Sequence, residues 1–333
     1  MRQVGSTSLH LPPLGLGVAH LGGMYGPVPG DQARATLQAA WDGGYRFFDT
    51  APSYGRGKSE HRLGAFLMDQ PREDFIVTTK VGRVLHRPAD PATFDRTPWP
   101  GGLGFEVEFS YTYDAVMRAY EQSLMRLAMD RIDALLIHDP DPMAHGDQFE
   151  TRMKELEQGG IRALEELKAT GQIKAVGMGL NTIAALEQCA NRVPLDFLII
   201  AMPYTLLDQS ALSAMDDLAR RGISVIIGAP YASGILVTGP APGARYGYLP
   251  APPAILEKAA AIKAVCDAHG VTLAAAALHF VLAHPAVVAT IPGAARPEEV
   301  NVTQRAFASR PPLALWLALR DAGLIDAAAP VPG

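Results

Sequence analysis

Four residues that can move protons stand at or just after the ends of apolar runs. Asp49 closes YRFFD, Lys80 follows FIVTT, and His138 follows IDALLI. Tyr54 comes five residues after Asp49, in a stretch rich in Pro, Ser and Gly. A phenol with an ordinary pKa of about 10 is a poor base at neutral pH, but a neighbouring ammonium group favours its phenolate form. The four residue types therefore suit proton transfer if the fold brings them together.

Together these groups predict a site that handles an alcohol or a carbonyl. Asp49 would keep Lys80 charged, Lys80 would act on Tyr54, and His138 would hydrogen-bond the substrate oxygen. Tyr54 would take the proton of a hydroxyl being oxidised or donate it to a carbonyl being reduced. No side chain carries a hydride, so this chemistry implies a redox cofactor. Each residue also has a structural interpretation, as a turn former, a solvated strand end, a surface histidine or a loop anchor, but their joint placement favours catalysis.

Eight β-rich runs alternate with helical segments and would position these residues. The predicted strands are 14–18, 45–49, 75–79, 132–137, 173–178, 196–201, 223–228 and 287–291. Most are continuously apolar, which is typical of a parallel sheet whose outer face is covered by helices. This pattern favours a (β/α)8 TIM barrel over an open doubly wound sheet. In such a barrel the functional face lies at the C-terminal strand ends, where all four residues stand.

The remaining segments predict one domain, residues 1–333, with additions to the barrel. Residues 2–11 are expected to form a hairpin that turns at Gly5-Ser6 and covers the barrel floor. The long loop 81–111 and the tail from 309, which contains a short helix, are expected to act as lids or binding walls. The early glycine pattern GLGVAHLGG is not GxGxxG and no helix follows it at once, which argues against a Rossmann domain.

Composition excludes several classes of protein. The chain is 48% apolar and 19% charged, with a net charge of -5 and no long basic cluster, so a nucleic-acid partner is not expected. The N-terminus lacks the apolar core of a signal peptide, and no stretch reaches the roughly 18 apolar residues of a membrane helix. We therefore expect a cytoplasmic protein with no membrane partner. Cys189 and Cys266 are interpreted as reduced core thiols, and no metal-binding motif occurs.

Longer blocks of the sequence resemble a known family. FDTAPSYGRGKSEHRLGAFL, FIVTTKVG, RIDALLIHDPD, YTLLDQSAL and VVATIPGAARPEEV, in this order, resemble the aldo-keto reductase superfamily. The resemblance runs from Leu14 to about residue 325. It implies a (β/α)8 barrel that binds a nicotinamide dinucleotide without a Rossmann domain. It also assigns Asp49, Tyr54, Lys80 and His138 to the catalytic tetrad, with Tyr54 as the general acid/base.

Within the superfamily, YTLLDQSAL, VIIGAPYASGIL and PLALWLALRDAGLI are most similar to bacterial aldose 1-dehydrogenases. This similarity implies oxidation of the anomeric hydroxyl of an aldose, of the L-fucose, D-arabinose or L-galactose type, to a lactone. Three alternatives stay open: a pyridoxal 4-dehydrogenase, a general aldehyde or ketone reductase, and a cofactor-sensing regulatory subunit. The intact tetrad argues against the last. Contacts to sugar hydroxyls are expected from His20, Trp99, Asp139 or Asp141.

The resemblance also implies contacts to the cofactor, with departures from the family pattern. The implied residues are Asn181, Tyr231, Ser233, Gly234, Leu236, Gly293, Arg296 and Glu299. Gly228 stands where many relatives have a tyrosine that stacks on the nicotinamide, and Ala201 replaces an expected glutamine. Tyr231 is expected to take over the stacking or to line the sugar pocket, and Asn181 to bind the carboxamide from a shifted position. The backbone amides of Ser233, Gly234 and Leu236 are expected to meet the pyrophosphate.

The segment after the last strand bears on the choice of dinucleotide. Reductases that prefer NADPH commonly have a lysine directly after the IP pair and an arginine six residues later; here these positions are Gly293 and Glu299. A carboxylate repels a 2′-phosphate but accepts a hydrogen bond from a free ribose hydroxyl, which favours NAD. Arg296 keeps NADP open, because a guanidinium can pair with phosphate through two hydrogen bonds.

Overall fold

The computed structural model describes residues 1–333, and its centre is a barrel of parallel strands. In chain order the strands are β1 (Leu16–Gly17), β2 (Phe47–Asp49), β3 (Ile76–Val81), β4 (Ala134–His138), β5 (Ala175–Leu180), β6 (Phe197–Ile200), β7 (Ser224–Ile227) and β8 (Val287–Thr290). Strands adjacent in sequence are adjacent in the sheet, and parallel bridges join Leu14 to Thr290 and Gly17 to Gly293. These bridges connect the last strand to the first, so the predicted (β/α)8 barrel is confirmed.

Helices cover the outside of the barrel. They are α1 (Gly30–Asp42), α2 (Lys58–Leu67), α3 (Tyr113–Leu127), α4 (Ile161–Ala169), α5 (Ile183–Cys189), α6 (Leu212–Arg220), α7 (Pro253–Ala268), α8 (Leu273–Leu282), α9 (Pro297–Ala308) and α10 (Leu313–Asp321). Helix Phe149–Glu155 and the π-helical turn Leu156–Gly160 lead directly into α4. Helices α7 and α10 pack on each other outside the repeating β/α units. None of the helices has by itself the length and apolarity needed to cross a bilayer; α7 and α8 meet these criteria only as a pair bent by 98°.

Side chains on each strand alternate between the inside of the barrel and the layer beneath the helices. On β4, Leu136 belongs to the interior cluster, whereas Leu135 and Ile137 belong to the larger cluster packed under the helices. Both faces exclude water, which explains why the strands read as continuous apolar runs. The exception is the upper end of the barrel, where inward positions carry polar or very small residues.

The floor of the barrel is closed by the N-terminal hairpin. Strand Arg2–Gln3 pairs antiparallel with His10–Leu11, and Thr7 N–H donates to the Val4 carbonyl across a turn in which Gly5 has φ of 52°. The predicted turn at Gly5-Ser6 is therefore confirmed. The hairpin's apolar side chains complete the interior cluster, whose members are Val4, Leu9, Leu11, Phe47, Ala134, Leu136, Ala175, Phe197, Ile199, Ile226, Val288, Ala289 and Ile291.

Several element boundaries differ from the sequence prediction. Strand β3 continues through Lys80 to Val81 because it pairs with β4 beyond the apolar run, and β5 continues to Leu180 because Leu180 pairs with Ile200 of β6. The predicted loop 81–111 contains an antiparallel hairpin formed by Arg83–His86 and Glu106–Phe109. A second unpredicted hairpin, Arg245–Tyr246 with Leu249–Pro250, follows β7. Both hairpins stand at the same end of the barrel as the predicted functional residues.

The two cysteines are buried and free, as predicted. Cys189 ends α5, and its thiol donates to the Pro140 carbonyl at 2.9 Å. Burial raises the pKa of this thiol to about 12. Cys189 is therefore an unreactive core residue.

Candidate active site

The fold brings the four predicted proton-handling residues to one place inside the upper barrel. Lys80 Nζ donates to Asp49 Oδ2 at 2.7 Å and to the Thr50 carbonyl at 2.7 Å. The same Nζ lies 4.7 Å from the centroid of the Tyr54 ring, and the rings of Tyr54 and His138 meet edge to face at 5.7 Å. An ammonium has three donors, so Lys80 has one left for the phenol beside it.

The group formed by Asp49, Lys80 and His138 is buried, so its charged atoms must find their partners within the protein. Asp49, Lys80 and His138 are 3%, 2% and 5% exposed. The second carboxylate oxygen of Asp49, Oδ1, accepts a hydrogen bond from the Thr78 hydroxyl at 2.8 Å. A buried ion pair is tolerated only when its remaining donors and acceptors are also satisfied, as they are here. Asp49 therefore holds and orients Lys80 and leaves Lys80 to act on Tyr54.

Tyr54 reaches the site because its loop packs closely on the loop after β1. Gly55, with φ of 61°, lies so close to the backbone of Gly22 that a Cβ at position 55 would overlap it. Arg56 and Gly57 continue the left-handed conformation with φ of 57° and 92°. Left-handed backbone and close approach both favour glycine, which explains the glycines on either side of Arg56. The loop can turn sharply here and present the phenol of Tyr54 inward.

The protonation states follow from burial and neighbouring charge. Burial raises the pKa of the Tyr54 phenol above its ordinary value, and the Lys80 ammonium offsets only part of that rise. Burial acts against the Lys80 ammonium, but Asp49 and Tyr54 together raise the Lys80 pKa. Burial also lowers the pKa of His138 well below its usual range, and the nearby Arg83 and Lys80 add to this effect. At neutral pH the site therefore holds a phenol, an ammonium and a neutral imidazole.

A second carboxylate, Asp139, lies beside His138. Its Oδ2 is 3.5 Å from His138 Nε2 and forms an ion pair with Arg83 at 2.5 Å, while its Oδ1 accepts from Asn181 Nδ2 at 3.0 Å. Arg83 also donates to the Ser53 hydroxyl at 2.9 Å. Burial raises the Asp139 pKa, whereas Arg83 lowers it. Asp139 thus offers a partly neutralised carboxylate to a ligand bound next to His138.

Of the four residues expected to meet sugar hydroxyls, two line the cavity above the tetrad and two do not. His20 and Asp139 line it. Trp99 instead packs on the ring of Tyr54 at 5.7 Å. Asp141 is 2% exposed and accepts from Met143 N–H and the Thr182 hydroxyl, so it stabilises the loop after β4. The sequence could not separate these roles, because Asp139 and Asp141 stand in the same turn.

The cavity has a volume of about 560 Å³ and a lining that differs from one side to the other. Asp49, Lys80 and His138 form one side. Gly179, Ala201 and Gly228, from the ends of β5, β6 and β7, form the adjoining part of the wall, next to Lys80 and Ile199. Because these three residues have at most a methyl side chain, they leave room for a ligand next to the proton-handling groups.

The loop after β7 forms a further wall with unusual backbone. Ala232 and Ser233 have φ of 46° and 61°, which is strained for residues other than glycine and is often associated with binding sites. Ser233 and Gly234 line the cavity, but Leu236 does not, and the amides of Gly234 and Leu236 both donate to the Tyr231 carbonyl. The structure therefore does not support Leu236 as a direct pyrophosphate contact. Its amide is used to form the loop.

The other predicted cofactor residues all line the cavity. The Tyr231 hydroxyl hydrogen-bonds Thr303 of α9 at 3.2 Å, which turns this ring toward α9. Glu299 Oε2 accepts from Ala295 N–H at 2.7 Å, so its carboxylate is fixed beside the start of α9. Arg296 is the N-cap residue of α9 and is exposed. Asn181 is held by Asp139, as described above.

Sequence reasoning missed several residues of the site. Tyr25 and Tyr248 line the cavity from two different loops, and Tyr248 N–H donates to the Ser233 hydroxyl at 3.0 Å. Arg83, the partner of Asp139, belongs to the unpredicted hairpin. No local pattern identifies these residues, because their roles depend on contacts between loops that are distant in sequence. A basic residue three positions after Lys80 was the only available signal for Arg83.

Comparison with known proteins identifies the family of the chain. The sequence profile described as the aldo/keto reductase family matches residues 13–312. A pyridoxal 4-dehydrogenase from Microbacterium luteolum is 38% identical over 335 residues, which cover 98% of this chain and 98% of that protein. A D-threo-aldose 1-dehydrogenase from a Pseudomonas species is 34% identical over 331 residues, with 96% of each chain covered.

A solved structure with the same fold is that of an aldo-keto reductase from Bacillus halodurans in its holo form. It superposes with a TM-score of 0.74 at 24% identity, covering 98% of this chain and 97% of that one. This likeness supports the (β/α)8 fold only. The similarity in sequence is to the pyridoxal 4-dehydrogenase and the D-threo-aldose 1-dehydrogenase described above.

Proposed function

Because the chain belongs to the aldo/keto reductase family, we propose that it oxidises the anomeric hydroxyl of an aldose to the lactone, with NAD⁺ favoured over NADP⁺. Membership of this family makes the protein an oxidoreductase that acts on alcohols or carbonyls with a nicotinamide cofactor. The observation that carries the more specific proposal is the Asp139 carboxylate on the cavity wall beside His138. A carboxylate next to the reacting oxygen can accept hydrogen bonds from the hydroxyl groups of a sugar.

The cavity fits a nicotinamide cofactor. Gly179, Ala201 and Gly228 line the cavity with at most a methyl side chain, and so leave room for a flat ring. Ser233 and Gly234 would hold the dinucleotide from the loop after β7, with Gly293, Arg296 and Glu299 at the start of α9. When bound, the cofactor supplies the acceptor for the hydride that leaves C1 of the sugar.

The residues of the chain would then handle the proton. As the C1–H bond breaks, the C1–O bond becomes a carbonyl and the hydroxyl proton passes to Tyr54. The form of Tyr54 that accepts it is the phenolate, which Lys80 stabilises and whose fraction rises with pH because the resting group is a phenol. Neutral His138 can hydrogen-bond the substrate oxygen. Burial excludes water from this group, so the electrostatic effect of Lys80 on Tyr54 is strong. The same arrangement run backwards would reduce a carbonyl.

A second candidate is the oxidation of pyridoxal. The supporting observation is the 38% identity, over nearly the full length, to an enzyme named pyridoxal 4-dehydrogenase. Pyridoxal also forms a cyclic hemiacetal, so the same proton and hydride transfers would convert it to a lactone. The two candidates differ in what the rim of the cavity must recognise: the hydroxyl groups of a sugar or a planar heteroaromatic ring.

Preference for NAD⁺ is supported by charge at the start of α9. Glu299 is held there by its bond to Ala295 N–H, and Gly293 offers no side chain to a phosphate. Arg296 is the one cation among the cavity-lining residues of this segment. The Glu299 carboxylate can accept a hydrogen bond from a free ribose hydroxyl, whereas it would repel a 2′-phosphate.

The test is a substrate panel with the purified protein. L-fucose, D-arabinose, L-galactose and pyridoxal are each incubated with NAD⁺ and with NADP⁺, reduced nicotinamide is followed by absorbance, and the lactone product is identified by NMR. We expect turnover of at least one aldose, with a higher kcat/KM for NAD⁺. Oxidation of pyridoxal alone would support the second candidate instead. Absence of sugar oxidation with either cofactor would refute the first, and absence of any turnover would favour a regulatory role.

A further inference from the structure

Asp139, the residue after His138, has a left-handed backbone conformation. Its φ is 47°, although it is not a glycine. Aspartate enters this region more readily than most residues, but the conformation still costs free energy and persists only where its surroundings hold it. One such contact is the hydrogen bond from Asp139 N–H to the Gly179 carbonyl at 3.1 Å. The two peptide groups that flank the Asp139 Cα make the others.

Two side chains outside the cavity bond these flanking peptide groups. The Tyr111 hydroxyl donates to the His138 carbonyl at 2.7 Å, and His145 Nε2 lies 3.0 Å from the Asp139 carbonyl oxygen. Tyr111 and His145 also contact each other, with 3.0 Å between the hydroxyl oxygen and Nε2. Neither residue lines the cavity. Because each peptide group is planar, fixing the two that flank Asp139 fixes its φ and ψ.

The hydrogen-bond partners determine where the protons of this cluster lie. The Tyr111 hydroxyl has a single proton, which it donates to the His138 carbonyl. The Asp139 carbonyl can only accept, so His145 must carry a proton on Nε2 to bond it. Burial lowers the pKa of His145, so its ring is neutral at neutral pH and Nδ1 carries no proton. Nε2–H is therefore the group of His145 that a substitution must keep or remove.

The hairpin in the loop after β3 supports this arrangement. Tyr111 stands two residues after Phe109 of the hairpin and is fully buried. His145 packs edge to face on Phe109 with ring centroids 4.7 Å apart, and Phe109 pairs with Arg83 across the hairpin. Arg83 is also the ion-pair partner of the Asp139 carboxylate. The same hairpin thus contacts the Asp139 side chain directly and its backbone through His145.

We propose that Tyr111 and His145 are positioning residues: by bonding the two carbonyl groups that flank the Asp139 Cα, they hold its left-handed turn and so aim its carboxylate into the cavity. This inference rests on the proposed contact between Asp139 and substrate hydroxyls, and deepens it by naming the residues that set the geometry of that contact. Arg83 and Asn181 fix the carboxylate itself, whereas Tyr111 and His145 fix the backbone that carries it. Their loss should therefore affect substrate binding rather than the chemical step.

The first experiment is steady-state kinetics at saturating dinucleotide, with the compound of the substrate panel that has the highest kcat/KM. Loss of the Nε2–H donor in His145→Ala, or of the hydroxyl in Tyr111→Phe, should raise KM by about three- to fivefold, the value of one neutral hydrogen bond. Both kcat and the Kd for the dinucleotide should change by less than about twofold, because neither residue lines the cavity.

Replacing His145 by amides separates a hydrogen-bonding role from a packing role. His145→Gln can place its amide N–H near the position of Nε2, whereas the shorter His145→Asn reaches only the position of Nδ1. KM should therefore return to within about twofold of the original in His145→Gln and stay raised in His145→Asn. His279→Ala is the matched control, because His279 is also half-buried and packed on an aromatic ring, that of Phe307, but does not line the cavity. It should leave KM unchanged even if the melting temperature falls.

The second experiment determines whether His145 acts through Asp139. In the Asp139→Asn background the charged acceptor is already lost, so His145→Ala should raise KM by less than about twofold further. If His145 contributed to substrate binding by another route, the two increases in KM would multiply. Such non-additivity separates a positioning residue from one that only stabilises the fold.

The outcomes separate this inference from the proposed function. Melting curves establish that each variant folds, and the comparison of His145→Gln with His145→Asn carries the test if His145→Ala does not fold. If the unaltered protein oxidises none of the panel compounds, the proposed function fails and the inference fails with it. A KM that responds as described with pyridoxal as the only substrate supports the inference and refutes the aldose. If a compound is oxidised but KM is the same in His145→Ala, Tyr111→Phe and the unaltered protein, or if the two increases multiply, only the inference is overturned.

Discussion

The two halves of the upper barrel have opposite lining. On β2, β3 and β4 the uppermost inward positions are Asp49, Lys80 and His138, which form a buried, hydrogen-bonded group with Tyr54. At the ends of β5, β6 and β7 stand Gly179, Ala201 and Gly228, which line the adjoining wall of the same cavity. The charged half can move a proton. The small half leaves the space in which a hydride acceptor can lie next to the reacting carbon.

The difference shows that small residues, which leave space in the cavity, matter as much to this site as charged residues do. A Cβ at Gly228 would lie 3.1 Å from Ile199 Cγ2, so even a methyl group would require a small shift there. The charged half carries its polar groups only because each is paired: Lys80 with Asp49 and the Thr50 carbonyl, and Asp49 with Thr78. Substitutions in the first half should therefore affect the chemical step, and substitutions in the second half should affect binding.

The largest effect is expected from Tyr54→Phe. This change removes the hydroxyl that we propose exchanges a proton with the substrate, and it keeps the ring that packs against Trp99. We expect kcat to fall by about 10³-fold or more, within the range of general acid/base catalysis, while the Kd for the dinucleotide changes little. Steady-state kinetics and calorimetry measure the two quantities. Turnover that stays within tenfold of the original would contradict the role assigned to Tyr54.

The next effect tests the partner of Lys80. Asp49→Asn removes the negative charge that keeps the Lys80 ammonium in place, so we expect kcat to fall by about 10²-fold. The free energy of unfolding should also fall by about 3 kcal/mol, because a buried cation loses its counter-ion. Urea titration measures the second change.

The control for Asp49→Asn is a buried ion pair that does not line the cavity, Glu60 with Arg126. Glu60 is 0% exposed, and its two carboxylate oxygens accept from Arg126 and from Thr79, outside the barrel interior. Glu60→Gln should lower stability by a comparable amount and leave kcat nearly unchanged. Equal losses of turnover in Glu60→Gln and Asp49→Asn would mean that Asp49 acts through folding alone.

Much of the charged half could be predicted from the sequence, and little of the small half could. Asp49, Lys80 and His138 close apolar runs, and the rule that parallel strands end on the same face brings such residues together. Gly179 and Gly228 also lie at the ends of apolar runs, but glycine occurs at the ends of strands for several structural reasons that have nothing to do with ligand binding. Gly177, two residues below Gly179, is required by packing, since its Cβ would lie 2.6 Å from the Phe197 ring. Only the structure separates a glycine that opens a cavity from one that fits a core.

The long loops also show what cannot be predicted from the sequence. The sequence predicted that 81–111 would form a wall of the site. The hairpin within this loop and the ion pair between Arg83 and Asp139, which is 56 residues further along the chain, depend on contacts that no local pattern shows. Leu236 was expected at the pyrophosphate because it belongs to a matching loop, yet its amide closes that loop on Tyr231. Family resemblance thus indicated a segment that lines the cavity, while the hydrogen bonds determine which of its residues face that cavity.

Filling the small half should weaken cofactor binding without removing the proton-transfer group. A Cβ at Gly179 would be 3.8 Å from Lys80 Cε, an ordinary contact, so Gly179→Ala should be tolerated. Gly179→Leu would occupy the cavity, at a cost of about 2 kcal/mol or roughly 30-fold in Kd for the dinucleotide. Calorimetry compares the two variants. If leucine and alanine gave the same Kd, Gly179 would not border the cofactor site.

The pH dependence follows from the raised pKa of Tyr54. Oxidation requires the phenolate as proton acceptor, so kcat for oxidation should rise with pH, by about tenfold per unit, until the pKa of Tyr54 is reached. Reduction requires the phenol and should stay flat over the same range. His138 adds no second inflection there, because its pKa is lowered and it is already neutral. A flat profile for oxidation would show that Tyr54 is not the group that titrates.

The smallest effect is expected at the rim of the charged half. Asp139→Asn keeps the shape of the residue and an oxygen for Arg83 but removes the charged acceptor from the cavity wall. We expect KM for the sugar to rise by about fivefold, the difference between a charged and a neutral hydrogen bond, with kcat nearly unchanged. Asp141→Asn is the control, because Asp141 faces Met143 N–H and Thr182 and does not line the cavity. A rise in KM with Asp139→Asn but not with Asp141→Asn would place the sugar hydroxyls at Asp139. Unchanged KM in both would make Asp139 a support for Asn181 and Arg83 alone, and the charged half would then end at His138.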